Sequence, residues 1–208
     1  PKYYSFSTIL SYNALLSLFN ITAEEVKGER NGQPVNGLVY VALDENGNKI
    51  SNPFKASLFG KDAGVAQLQK HFEQSKEKMK TTPVRSVLKN TVELAIHTTS
   101  NETDFKKQLT EQGINTVVRR NSEGRIYGMT FIDHESRSVW NGSQLDRNLS
   151  ANVFNDWWNN GNKPELKIQD NPVSKANEID NLPKKDLFEF LSQEHSPNTD
   201  LGMFSLLP

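Results

Sequence analysis

The sequence predicts an α+β fold in which short antiparallel sheets, built as hairpins or three-stranded units, pack with helices. Three observations predict it. Stretches with apolar residues at helical spacing alternate with short runs rich in β-branched and aromatic residues. Asn31-Gly32 and Asn46-Gly47 mark tight hairpins, because both residues of such a turn accept a positive φ. Residues 116–120, 125–132 and 138–140 then read as three consecutive strands. The turns Asn121-Ser122-Glu123-Gly124 and Asp133-His134-Glu135-Ser136 join them, each led by a side chain that can bond its own backbone.

Taken in order, residues 5–20 form the first predicted helix. Leu10, Ala14, Leu15, Leu18 and Phe19 fall on one face of a 3.6-residue period, with Ser5 or Ser7 as the cap. Strands 26–30 and 35–43 follow, and a short strand near Lys49-Ile50. A helix over 62–80 turns Ala63, Ala66, Leu68 and Phe72 inward and carries Lys76, Lys78 and Lys80 toward its C-terminus, where the helix dipole favours cations. Pro83 opens another helix at the one turn where its missing N–H is harmless. Its stripe of Val84, Val87, Leu88, Val92, Ala95 and Ile96 predicts the most buried helix of the chain. Helix 102–112 ends at Gly113. In strand 125–132, Ile126, Gly128, Phe131 and Ile132 mix with Tyr127 and Thr130, the imperfect alternation of a sheet with one covered face. Ser150 caps a helix over 151–160 holding Val153, Phe154, Trp157 and Trp158.

The two halves look alike. YNALLSLFNI and FKKQLTEQGI both place aromatic, Leu and Ile residues on a helix. GLVYVALDENGNKI and GMTFIDHESRSV both give a glycine, an apolar strand, an Asp-bearing turn and a return strand. This predicts a duplicated α-β-β-β-α unit, with chance likeness of two hairpins as the competing explanation. The expected organisation is a first α+β unit over 1–81, a second over 82–161 joined by a buried helix at about 83–98, and a largely irregular tail over 162–208. That tail holds 5 Lys+Arg against 8 Asp+Glu. A tail docked through Leu187, Phe188, Phe190, Met203 and Phe204 is the alternative to a disordered linker.

A chain of 208 residues suits one or two domains. It contains no cysteine, which excludes disulfides and thiolate chemistry and fits a reducing cytoplasm. A net charge of −1 gives no global field for nucleic acid. No apolar run approaches a membrane span. The start PKYYSFSTIL carries no leader and no Met, and reads as a fragment or a processed form.

Chemistry is sparse. His71, His97, His134 and His195 are isolated, so no metal site is expected. Tyr3-Tyr4 reads as a hydrophobic anchor rather than a nucleophile pair. Asp133-His134-Glu135 reads as a solvated turn, since three adjacent residues cannot converge on one atom. Gly60-Lys61 lacks the rest of a phosphate loop, and Ser143 lacks the flanking glycines of a nucleophile elbow. We expect no catalytic residue and no cofactor. Nucleic-acid contact is the remaining candidate. Residues 76–125 contain 10 Lys+Arg and 6 Asp+Glu. Arg119, Arg120 and Arg125 flank one hairpin turn, Lys106 and Lys107 lie on the preceding helix, and Arg137 and Arg147 are near Trp140. Cations for phosphate beside aromatic faces for bases make a single-strand platform. The bland reading is a solvated surface with Trp140, Tyr127 and Phe131 in the core.

The run GRIYGMTFIDHESRSVWNGSQL, with Phe105, Leu109, Gly113 and Ile114 ahead of it and SANVFND behind it, resembles the relaxase/mobilisation nucleases of bacterial mobile elements. YNALLSLFNITAEEVKGE, GLVYVALDENG and PFKASLFGK extend the resemblance over about residues 3–160. It matches the region downstream of the nuclease domain, and departs from the family pattern at Asp146, where the family usually has Gly. The resemblance implies a non-catalytic, cytoplasmic part of a relaxase that assists conjugative DNA mobilisation. Its partners would be single-stranded DNA, the upstream nuclease domain and relaxosome accessory proteins, with no membrane. A protein-interaction or scaffold module of the relaxosome without DNA contact is the alternative. The apparently exposed pair Trp157-Trp158 favours that alternative.

Overall fold

A computed structural model describes residues 3–30 and 32–165. The docked-tail expectation, with Leu187, Phe188, Phe190, Met203 and Phe204, lies outside the described residues, as does His195. The fold is α+β, with two three-stranded antiparallel sheets and six α-helices among the described residues. Helix α1 (Ile9–Ser17) precedes strands β1 (Ile21–Arg30), β2 (Gln33–Ala42) and β3 (Phe54–Lys55). After two 3₁₀ turns come helices α2 (Val65–Thr81), α3 (Val84–Thr98) and α4 (Glu102–Glu111). The second sheet is β4 (Ile114–Arg120), β5 (Ile126–Asp133) and β6 (Ser138–Asn141), followed by α5 (Gly142–Leu145), a 3₁₀ turn over Arg147–Leu149, and α6 (Ala151–Asn160).

Strand order is β1-β2-β3 in one sheet and β4-β5-β6 in the other, all neighbours antiparallel. A common strand order is what a duplicated unit requires. The two sheets differ at their third strand, two residues long in β3 and four in β6. Residues Pro1–Lys167 form one compact unit, so both α+β halves belong to one body.

The first helix is shorter than the sequence predicts. Thr8, not Ser5 or Ser7, caps α1: its hydroxyl accepts from the Ser11 N–H at 3.1 Å while Ser11 Oγ accepts from the Thr8 N–H at 3.1 Å. Residues 5–7 are instead extended. Ser5 pairs in parallel with Ser138, its N–H donating to Arg137 O at 2.8 Å and its carbonyl accepting from the Val139 N–H at 2.9 Å. The N-terminal segment therefore borders the second sheet. Tyr4 adds to that border, its hydroxyl 2.6 Å from His134 Nδ1, while His134 Nε2 lies 2.7 Å from Asn115 Oδ1. With Asn115 Oδ1 accepting, His134 Nδ1 accepts the Tyr4 hydroxyl proton.

The second sheet is covered on both faces, which corrects the expectation of one. Phe131 and Trp140 pack on one side with Phe105, Phe154, Trp157 and the α3 residues Leu88, Val92, Ala95 and Ile96. Ile132 and Val139 pack on the other with Phe6, Tyr12, Leu15, Leu16, Ala23 and Leu38. Helix α1 thus lies against both sheets. This double cover explains why β5 reads as a nearly continuous apolar run. The helical stripes need correction in three helices. Leu10 on α1 is exposed, as are Leu18 and Phe19 just beyond it, and α1 rather than α3 has the larger share of buried residues. Val87 is exposed on α3, and Ala66 is exposed on α2, whose buried side chains are Leu68, Ser75 and Met79.

Asp146 has a structural role. Its carboxylate lies 2.8 Å from Lys89 on α3 and accepts from the Asn148 N–H at 2.9 Å. Its φ of −159° is extended backbone, so no glycine is needed there. Lys89 first, and the Asn148 N–H second, hold the carboxyl below the usual carboxylate range. The same contact raises the Lys89 ammonium. The carboxylate's contribution is therefore present above its unfolded pKa and lost as pH falls through the folded one. The ammonium's contribution is complete below its unfolded pKa and lost as pH rises through its folded one. Asp146→Asn keeps the capping oxygen and removes the charge. With both side chains about one quarter exposed and solvent screening the pair, we expect a loss of about 1 kcal/mol at pH 7. Urea melts of both proteins at pH 7 and pH 3 check this; a difference that persists at pH 3 would contradict the charge origin.

Candidate nucleic-acid interface

The β4–β5 hairpin positions the cations that the sequence singles out. Arg119 pairs with Gly128, whose lack of a side chain leaves room for the guanidinium to lie flat on the strand. A Cβ at Gly128 would overlap Arg119 Nε. From there Arg119 reaches α1 and donates to the Leu10 carbonyl at 3.3 Å. Its Nε is buried without a hydrogen-bond partner, and no carboxylate pairs with it among the described residues. Burial lowers the Arg119 pKa and the neighbouring Tyr127 works the other way. The group stays charged, since arginine begins far above neutrality.

Tyr127, which belongs to the core only in the solvated-surface reading of the sequence, is brought out by the structure. Ile126 pairs with Arg120 and Gly128 with Arg119, so Tyr127 is the extra residue of a β-bulge. A bulge re-aims one side chain out of the regular alternation. Tyr127 is 62% exposed, the largest exposure of any hydrophobic residue on the second sheet. Arg119, Arg120 and Tyr127 line a cleft of about 520 Å³, whose opposite wall includes Asn13, Ser17 and Asn20. Asp44 and Glu45 also line it. Asp44 is turned into its own loop, accepting from the Asn46 N–H at 2.9 Å, the Asn48 N–H at 2.7 Å and Asn48 Nδ2 at 2.9 Å. Those bonds, the Asn48 side chain foremost, hold its carboxyl below the usual range.

The other predicted residues are placed differently. Arg120 and Lys106 both converge on Glu102, Lys106 at 2.6 Å and Arg120 through Nη1 at 3.3 Å. Their charge is therefore partly spent within the fold. Lys107, Arg125, Arg137 and Arg147 are exposed, with Arg137 in a turn at φ 52°. Trp140 is no stacking platform. It is 5% exposed, its indole N–H donates to Ser138 Oγ at 2.8 Å, and its ring lies in the core. The expected exposed pair Trp157-Trp158 is likewise packed: Trp157 is buried and Trp158 partly so, both against Phe105 and Phe154.

Among the described residues no group of three His, Asp or Glu side chains could hold a metal ion, and no helix is long and apolar enough to cross a membrane. No family model, curated protein or solved structure matches this chain.

Proposed function

We propose that this chain is a non-catalytic part of a relaxase/mobilisation protein that assists conjugative DNA transfer by holding single-stranded DNA at the β4–β5 hairpin. The observation that carries the proposal is Tyr127, pushed out by a β-bulge beside Arg119 and Arg120 at the mouth of a cleft. An exposed ring offers a sequence-tolerant stacking face, and an arginine without a carboxylate partner offers charge for the backbone. The resemblance of GRIYGMTFIDH and NGS to relaxases supplies the biological setting. Asp44 and Glu45 on the far wall oppose a polyanion, so affinity is expected to be modest and strongly weakened by salt.

Fluorescence-anisotropy titration with labelled single- and double-stranded oligonucleotides at two salt concentrations tests the proposal. Binding should favour the single strand, and Tyr127→Ala should weaken it about tenfold. Absence of binding to either oligonucleotide at low salt would sink it. A second reading has its own observation. Ile50, Phe54, Leu58 and Phe59 are exposed by 65%, 47%, 71% and 60% around β3 and the turn after it. Such exposed apolar side chains suit a relaxosome protein partner, the reading to pursue if DNA does not bind.

A further inference from the structure

A pocket of about 320 Å³ opens where the C-terminal half of α2 meets the start of α3. Lys76, Lys80 and Arg85 supply its charge, Met79 and Trp140 its apolar floor, and Ser7, Thr82 and Gln144 its polar wall. No carboxylate lines it. Glu77, which lies outside the lining, pairs with Lys80 at 2.7 Å, and Lys89 holds Asp146 at 2.8 Å. Lys76 has no acidic partner among the described residues. Arg85 spends one nitrogen on the Leu145 carbonyl at 3.1 Å.

The wall adds a second, independent sign of a missing acceptor. Ser7 is only 6% exposed. Its Oγ accepts from Gln144 Nε2 at 3.2 Å, and its own hydroxyl hydrogen has no acceptor among the described residues. Half-buried Thr82 stands on the same wall, its Oγ1 accepting from the Val84 N–H at 3.4 Å. A buried hydroxyl without an acceptor is costly, and polar groups left so usually await a partner. Three cations and one buried hydroxyl donor around one cavity call for a group that is anionic and accepts hydrogen bonds in several directions. A tetrahedral phosphate meets both demands.

We infer that this pocket binds phosphate, and that the phosphate belongs to a nucleic-acid backbone. The source of the phosphate rests on the nucleic-acid reading above; the phosphate chemistry of the pocket does not.

The experiment uses the full chain, the triple variant Lys76→Gln/Lys80→Gln/Arg85→Gln, and the single variant Ser7→Ala. The double variant Lys76→Gln/Lys80→Gln stands in if loss of the Arg85 contact to Leu145 impairs folding. One arm measures Tm against inorganic phosphate at constant ionic strength. The other measures oligonucleotide affinity against salt. Phosphate should raise the Tm of the wild type, less that of Ser7→Ala, and leave the triple variant unchanged. The salt slope for the single strand should fall by about 0.7 in the triple variant, for the one phosphate that the pocket neutralises. Phosphate stabilisation with an unaltered slope keeps the pocket as a phosphate site and assigns it free phosphate. Equal phosphate response in wild type and variants, with equal slopes, overturns the inference even if Tyr127→Ala still weakens DNA binding. If the wild type binds no oligonucleotide, the phosphate arm alone decides the pocket.

Discussion

Gly142→Ala is expected to cost this protein roughly 3 kcal/mol, enough to remove a large part of the stability of a domain this size. Gly142 stands at the corner where β6 passes into α5, and the Leu149 carbonyl lies against its Cα. A Cβ there would overlap the Leu149 oxygen, with the Leu149 carbonyl carbon at 3.0 Å and Met129 Cβ at 3.5 Å. The obstacle is backbone, so no rotamer relieves it. Nor can the turn retreat. Asp146 N–H donates to Gly142 O at 3.0 Å, Leu149 N–H donates to Asp146 O at 3.1 Å, and Leu149 is itself fully buried. Gly64→Ala is the matched control, since nothing lies within 4 Å of its added methyl and its φ of −85° suits any residue. Urea melts should show a large fall in midpoint for Gly142→Ala and a much smaller one for Gly64→Ala, where Ala only replaces a better N-cap of α2. Equal midpoints for the two variants would refute the steric account.

Phe105→Ala is expected to cost about 3–5 kcal/mol, the usual range for removing a fully buried ring. Phe105 is the aromatic hub of the second half. Its ring centroid lies 5.4 Å from Phe154, 5.6 Å from Trp158, 5.9 Å from Trp157 and 6.5 Å from Phe131. These tilted and edge-on contacts tie α4 to α6 and to the sheet, and each adds to simple burial. Phe105→Leu should recover more than half of the loss by filling most of the volume. Near-UV circular dichroism should weaken in Phe105→Ala, because Trp157 and Trp158 lose the ring that fixes them. A loss under 1 kcal/mol with an unchanged aromatic spectrum would show that the cluster repacks freely.

What the sequence made legible was local. Asn-Gly turns, the helices α2 to α4, and Gly113 at φ 74° all depend on near neighbours, and they lie where their patterns put them. The errors share one cause, distant partners. Ser5, Phe6 and Ser7 read as the start of a helix because nothing nearby reveals that β6 will pair with them. Trp140 reads as a surface ring because its neighbours in sequence are polar, whereas Ser7 and Met79, which share the pocket it floors, come from elsewhere in the chain. Tyr127 fails for a different reason. The β-bulge that makes Tyr127 the extra residue opposite the Arg119–Arg120 step leaves no mark in composition. The arginines of the interface were legible as a cluster. Their unequal availability was not, because Glu102, which engages Arg120 and Lys106 but not Arg119, acts through geometry alone.

The pairing of Ser5 with Ser138 has a consequence for how the protein is made. Residues 5–7 leave the ribosome while the strand that they border, and the Ile132 and Val139 that cover Phe6, are still unmade. Tyr4 and His134 are 130 residues apart in the chain. At typical synthesis rates of about 5–20 residues per second, the first half waits roughly 6–26 seconds for its other wall. During that interval Phe6, Leu15 and Leu16 lack part of their final cover. The nascent chain is therefore a natural client for chaperones, and truncation anywhere between the halves would make that temporary exposure permanent.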